Sequence, residues 1–156
     1  MKRIPVKDLF DYKDGRLFWR NPIGHRIKAG DEAGSVCPNG RRYVQIEGKK
    51  YLVHRLIYLW HHGDCPKYLD HINRNPLDNR IENLRPASKR ANAQNRSIRS
   101  DNKTGFKGVH KQRDRYIASI CVNGTNTYLG SYECPHKAQV AYAEAAAHHF
   151  GEFAHV

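Results

Sequence analysis

The chain has no C-x-x-C pair: its four cysteines, Cys37, Cys65, Cys121 and Cys134, stand far apart. A zinc knuckle or ribbon built on paired cysteines is therefore excluded, and the four read as reduced structural thiols. No run of about 18 apolar residues occurs, so a membrane span has no support. The start, Met1-Lys2-Arg3-Ile4-Pro5, has no apolar core of the kind a signal peptide needs, and export is not expected. Acid is scarce as well. Fifteen Asp and Glu face 27 Lys and Arg, a formal charge of +12 on 156 residues, which is the footprint of a polyanion binder.

The excess charge is local. From Arg85 to Arg115 stand ten basic residues against Asp101 and Asp114, whereas residues 116–156 hold only Lys137 against Glu133, Glu144 and Glu152. A solubilising coat would be spread evenly; this charge is concentrated, and nucleic acid becomes the leading partner. The length suits one medium domain or two small ones.

Turn residues and hydrophobic period divide the chain. GRLFWR follows a Lys13-Asp14-Gly15 turn, and RRYVQIE and KYLVH, separated by Gly48, read as a hairpin. From Val53 the apolar residues Leu56, Ile57, Leu59 and Trp60 recur at helical spacing until Gly63, with His54 expected to cap or bond inside the fold. The segment LDHINRNPLDNRIENLR, Leu69 to Arg85, then places Asp70 beside His71 at the mouth of an asparagine-rich loop. Residues 68–72 and a segment from Leu84 read as short strands, and Ser88 reads as the N-cap of a helix through Asn95. Such a strand, loop, strand and helix unit would turn Asp70 and His71 towards Asn92.

DHINRNPLDNRIENLRPASKRANAQN, with YLVHRLIYLWHHGDCP before it, resembles the HNH homing endonucleases with a ββα-metal site, of the subgroup common in phages. The resemblance runs over residues 41–95. It implies that His71 is the first His of the signature, that Asn83 is its middle Asn with a structural role, and that Asn92 stands where many members have the last His. Asp70, His71 and Asn92 are then the catalytic set. Asp70 and Asn92 would offer oxygen ligands to a divalent metal, Mg²⁺ or Mn²⁺, and His71 would be the base that takes a proton from water. An unperturbed imidazole would make activity fall below about pH 6.5.

The segment RSIRSDNKT reads as a basic linker. After it GFKGVHKQ, RYIASICV and TNTYLGSY read as three strands, and Pro135 opens a helix with an alanine-rich stripe. Residues 104–154, through GVH, YLGSY and the alanines around Tyr142, resemble the plant ethylene-response-factor (APETALA-type) DNA-binding domain. That resemblance implies a sheet facing DNA. Lys107, His110, Lys111, Arg113, Arg115 and Tyr128 would lie on or near its face, with Arg96, Arg99 and Lys103 leading into it.

The expected fold class is α+β: a ββα-metal HNH unit preceded by a β-hairpin and helix, then a three-stranded antiparallel sheet packed on one helix. Its parts are residues 1–96, a linker at 97–104, and 105–156. The expected function is a metal-dependent, homing-type endonuclease that nicks double-stranded DNA as a monomer, with no membrane and no obligate protein partner, in the cytoplasm of a bacterial host. The alternative is a DNA-binding regulator with a degenerate nuclease site. An RNA-binding protein ranks last, because few aromatic residues are offered for base stacking.

Overall fold

The computed structural model describes residues 4–24, 26–89, 91, 98 and 101–154. Helix and sheet are mixed, as an α+β fold requires, and the chain divides into two compact units, Met1–Ser88 and Lys89–Val156. The division falls earlier than the expected boundary after residue 96.

Unit 1 begins with a one-turn helix, α1 (Val6–Leu9), and a hairpin of β1 (Phe10–Lys13) and β2 (Arg16–Trp19). Asp14 at φ 47° and Gly15 at φ 79° make the left-handed pair that a tight two-residue turn needs. A second sheet has the order β3 (Ser35–Val36), β4 (Arg42–Ile46), β5 (Lys49–Leu52). Helix α2 (Val53–His62) follows at once and ends on Gly63, whose N–H bonds to the Leu59 carbonyl at 2.9 Å. Its buried apolar residues, Val53, Leu56 and Ile57, join Phe10, Leu17, Trp19 and Val44 in one core. Burying each of the larger aliphatic chains contributes roughly 2 kcal/mol. Arg55 of α2 donates to the carbonyls of Pro66 (2.9 Å) and Lys67 (3.2 Å) and so ties the helix to the next segment. That segment leads into β6 (Leu69–His71), which pairs antiparallel with β7 (Leu84–Pro86) after a single 3₁₀ turn, Ile81–Asn83.

Unit 2 is the antiparallel sheet β8 (Val109–Gln112), β9 (Arg115–Val122), β10 (Thr125–Tyr132), with β9 central, and one helix, α3 (Pro135–Phe150). The left-handed pair Asn123 (φ 56°) and Gly124 (φ 83°) joins β9 to β10. Ala118 and Ile120 of β9 and Ala138, Tyr142 and Ala146 of α3 are buried. The small helix residues let α3 approach the sheet, and the Tyr142 ring lies against Gly108. A Cβ at Gly108 would come within 2.2 Å of that ring, so no other residue fits there. The first strand starts at Val109, later than expected, because residues 102–106 form a bonded turn. Asn102 Oδ1 accepts from the N–H groups of Thr104 and Gly105, both at 2.9 Å, and Thr104 Oγ donates to the Val109 carbonyl at 2.9 Å. The end of the expected linker is thus part of the folded unit. Lys89 and Ala91 are helical, as expected after Ser88; Arg90 and residues 92–95 of the expected helix lie outside the described residues.

Candidate active site

The antiparallel register sets Asp70 directly opposite Arg85 and His71 opposite Leu84. Arg85 donates from Nε and Nη2 to Asp70 Oδ2, both at 3.2 Å, with the two side chains about nine-tenths buried. Arg85 was counted in sequence with the phosphate-facing charges. It is instead directed inward and holds the carboxylate beside His71.

His71 closes β6, and there the side-chain alternation of a strand stops constraining the chain. The loop that follows is held by its asparagines. Asn73 Oδ1 accepts from Asn75 N at 2.9 Å and Asn75 Oδ1 from Leu77 N at 3.1 Å, two successive side-chain turns. Asn83 spans the loop: its Nδ2 donates to Asn73 Oδ1 (2.9 Å) and the Asp78 carbonyl (2.7 Å), and its Oδ1 accepts from Asn73 N (2.9 Å). Asn83 therefore bonds the loop to itself. Arg80 and Asn73 donate to the Asp78 carboxylate, and these bonds, led by that from Arg80, hold it at about 2.

The remaining asparagine meets the imidazole. Asn79 Oδ1 lies 2.9 Å from His71 Nε2, with Asn79 and His71 both buried. On its other side the His71 ring meets His54 edge to face, with ring centroids 4.9 Å apart. Burial pushes His71 below the ordinary histidine value, opposed by the bond to Asn79, so the imidazole is neutral at pH 7. The fall in activity expected below pH 6.5 for an unperturbed imidazole moves to lower pH accordingly. His54 is lowered to about 3, first by burial and then by His71, Arg41 and Arg55. His54, expected to cap or bond inside the fold, lies inside it, with its ring packed on His71. The sequence did not single out Asn79 or Arg41, the cation from the β3–β4 connection whose field reaches both imidazoles.

Among the described residues no three His, Cys, Asp or Glu side chains cluster to hold a metal. A donor set of one carboxylate, Asp70, and one amide oxygen, Asn92, is chemically suited to a hard divalent cation that keeps most of its waters. Asn92, Arg96 and Arg99 lie outside the described residues. The register of unit 2 sorts the remaining candidates. Ala118 and Ile120 face α3, so His110, Arg115 and Tyr128 fall on the opposite, open face together with Gln112, Ser119 and Asn126. Tyr128 is 63% exposed. Arg115 reaches across the sheet to Ser131 Oγ (2.8 Å) and the Ser131 carbonyl (2.9 Å). Lys111 pairs with Tyr116 on the helix side of the sheet, at its exposed edge. Arg113 occupies the β8–β9 turn, Lys103 the bonded turn before β8, and Lys107 the half-buried connection between them.

Residues 51–94 match the HNH endonuclease family model. The chain thus carries an HNH endonuclease domain, and the matched span holds Asp70, His71, Asn79, Asn83 and Arg85. An uncharacterised HNH endonuclease of Acanthamoeba polyphaga mimivirus is 36% identical over 114 residues, 71% of this chain and 59% of that protein. Protein 3.8 of Escherichia phage T7 is 34% identical over 76 residues, 45% of this chain and 63% of that protein. The chain spans about three fifths of the length of these curated relatives. No solved structure gives a significant match.

Proposed function

We propose that the chain is a metal-dependent, homing-type endonuclease that hydrolyses phosphodiester bonds of double-stranded DNA and nicks as a monomer. The observation that carries this reading is a buried, neutral imidazole, His71, fixed at a strand end beside the Asp70 carboxylate inside an HNH endonuclease match. His71 takes the proton of the attacking water, which a neutral ring near pH 7 can do. Asp70 and Asn92 would hold the Mg²⁺ or Mn²⁺, which when bound supplies electrostatic relief for the phosphorane and the departing 3′ oxygen. Asn83 keeps the loop in shape. Unit 2 binds the duplex through its open face in the manner of the ethylene-response-factor domains, with His110, Arg115 and Tyr128 on that face and Lys103, Lys107, Lys111 and Arg113 around it.

One observation favours the other reading, a DNA-binding regulator with an inactive site: Arg85 already engages Asp70 Oδ2. A plasmid assay separates the two. Supercoiled DNA should accumulate as open circle with Mg²⁺ or Mn²⁺ and stay intact in EDTA; DNA binding without cleavage in any metal would select the regulator.

A further inference from the structure

Asn79 is buried to 3% exposure, and its Oδ1 lies 2.9 Å from Nε2 of the ring proposed as the base. An amide oxygen can only accept. A ring nitrogen 2.9 Å from it must therefore carry the proton, which leaves the lone pair on the other nitrogen across the ring. The edge-to-face His54 ring opposes rotation of the imidazole out of that bond.

The segment that carries Asn79 is held from outside the motif. A Cβ at Gly15, in the β1–β2 turn, would lie 2.7 Å from Arg80 N and 3.1 Å from the Asn79 carbonyl carbon, so the turn packs directly on this backbone. Gly15 also has φ +79°, which disfavours any side chain there. One residue further on, Ile81 N donates to the Tyr12 hydroxyl at 3.3 Å. The N-terminal hairpin thus supports residues 79–81 at two points.

We infer that Asn79 is a positioning residue that fixes His71 as the Nε2–H tautomer, with Nδ1 as the basic nitrogen, and that the β1–β2 turn holds Asn79 in place. The part about the base rests on the nuclease reading above; the tautomer does not. With Nδ1 as base, loss of the Asn79 acceptor lets the ring populate the tautomer whose Nδ1 already bears a proton and cannot take another.

The test is long-range ¹H–¹⁵N NMR of the full chain at pH 7, with cleavage kinetics alongside. Wild-type His71 should show a protonated Nε2 and a bare Nδ1. Asn79→Asp, which keeps an acceptor in the same place, should retain that pattern. Asn79→Leu should lose it and lower kcat by ~10- to 100-fold with KM unchanged, the range for losing a group that orients a functional histidine. Gly15→Ala should shift the tautomer in the same direction. A wild-type ring protonated on Nδ1, or an even mixture, would overturn the inference whether or not any variant folds. So would Asn79→Leu with tautomer and kcat both unaltered. A wild-type chain with the Nε2–H tautomer that cuts no DNA would overturn the nuclease reading and leave the tautomer assignment standing.

Discussion

The two units treat their polar chemistry differently: unit 1 buries it, and unit 2 displays it. Every buried polar or charged side chain among the described residues, namely His54, Asp70, His71, Asn79, Asn83 and Arg85, belongs to unit 1. Among its described residues unit 2 buries only apolar side chains and Tyr142, and sets out His110, Gln112, Arg115, Asn126 and Tyr128 on the open face of its sheet, with Lys111 at the exposed edge. Buried polar networks are expensive when incomplete and precise when complete. Unit 1 therefore has the build of a site where atoms must be held still, and unit 2 that of a surface which makes many weak contacts. Chemistry inside and recognition outside should respond to different perturbations.

The largest effect that separates them is His71→Ala. It should lower kcat by ~10²- to 10⁴-fold, the range for losing a general base, with DNA affinity nearly unchanged. Plasmid nicking and a gel-shift titration on the same preparation check both halves, and equal loss in both assays would erase the division. Salt should do the converse. If six cations contact duplex phosphates, the log-log slope of affinity against salt is roughly −5, close to a 10³-fold loss between 50 and 200 mM. A flat response would remove the recognition role from the basic segment.

Arg85→Met sharpens the contrast by testing whether a cation of the basic stretch belongs to the interior. It leaves the buried Asp70 carboxylate without its guanidinium partner and should destabilise unit 1 by about 3 kcal/mol, read from denaturant unfolding. Arg113→Met, in an exposed turn, should change stability by less than about 0.5 kcal/mol.

The smallest effect is the response to acid. Folded His54 titrates at about 3 and an unfolded histidine near 6.5. Above about pH 6.5 neither state takes up the proton and stability is full. Below it the unfolded chain binds a proton that the folded chain refuses, so stability falls by about 1.4 kcal/mol per pH unit. His71, the ring in contact with it, is also lowered and adds to the slope, while Arg41 and Arg55 oppose a second positive charge nearby. His54→Phe should flatten the curve measured between pH 6.5 and 4.5; an unchanged slope would mean that His54 is not the group responsible.

Local signals made much of this legible. The β2, β4, β5, β9 and β10 strands follow from alternation bounded by Asp-Gly, Glu-Gly and Asn-Gly turns, and α2 from an apolar stripe that stops at glycine. β1, with the sequence FDYK, was missed because its partner β2 and the core under Phe10 define it, while its own composition is unremarkable. The same limit applies within the site. Asp70 and His71 stand out as an adjacent acid and imidazole before an asparagine-rich loop, and Asn83 through the resemblance to the HNH signature. Arg85 stands 15 positions from Asp70 and is brought to it by strand register alone. Asn79 looked like any other turn-forming asparagine, since its bond to His71 depends on how the loop curls back. Which of the strand cations lie on the open face and which only near it, as Lys111 does, depends on register, because a strand of four residues shows too little alternation to fix which face is buried.

The loop after His71 is fastened chiefly by neutral amides: Asn73, Asn75, Asn79 and Asn83 accept or donate at 2.7–3.1 Å, and among the described residues Asp78 with Arg80 is its one ion pair. Dipolar bonds of this kind are not screened by counterions as surface charges are. The amides also bring no fixed negative charge against an approaching phosphate. Ionic strength should therefore govern how often the protein holds DNA and leave the turnover of DNA already held almost untouched, so that across a salt series KM rises steeply while kcat stays level.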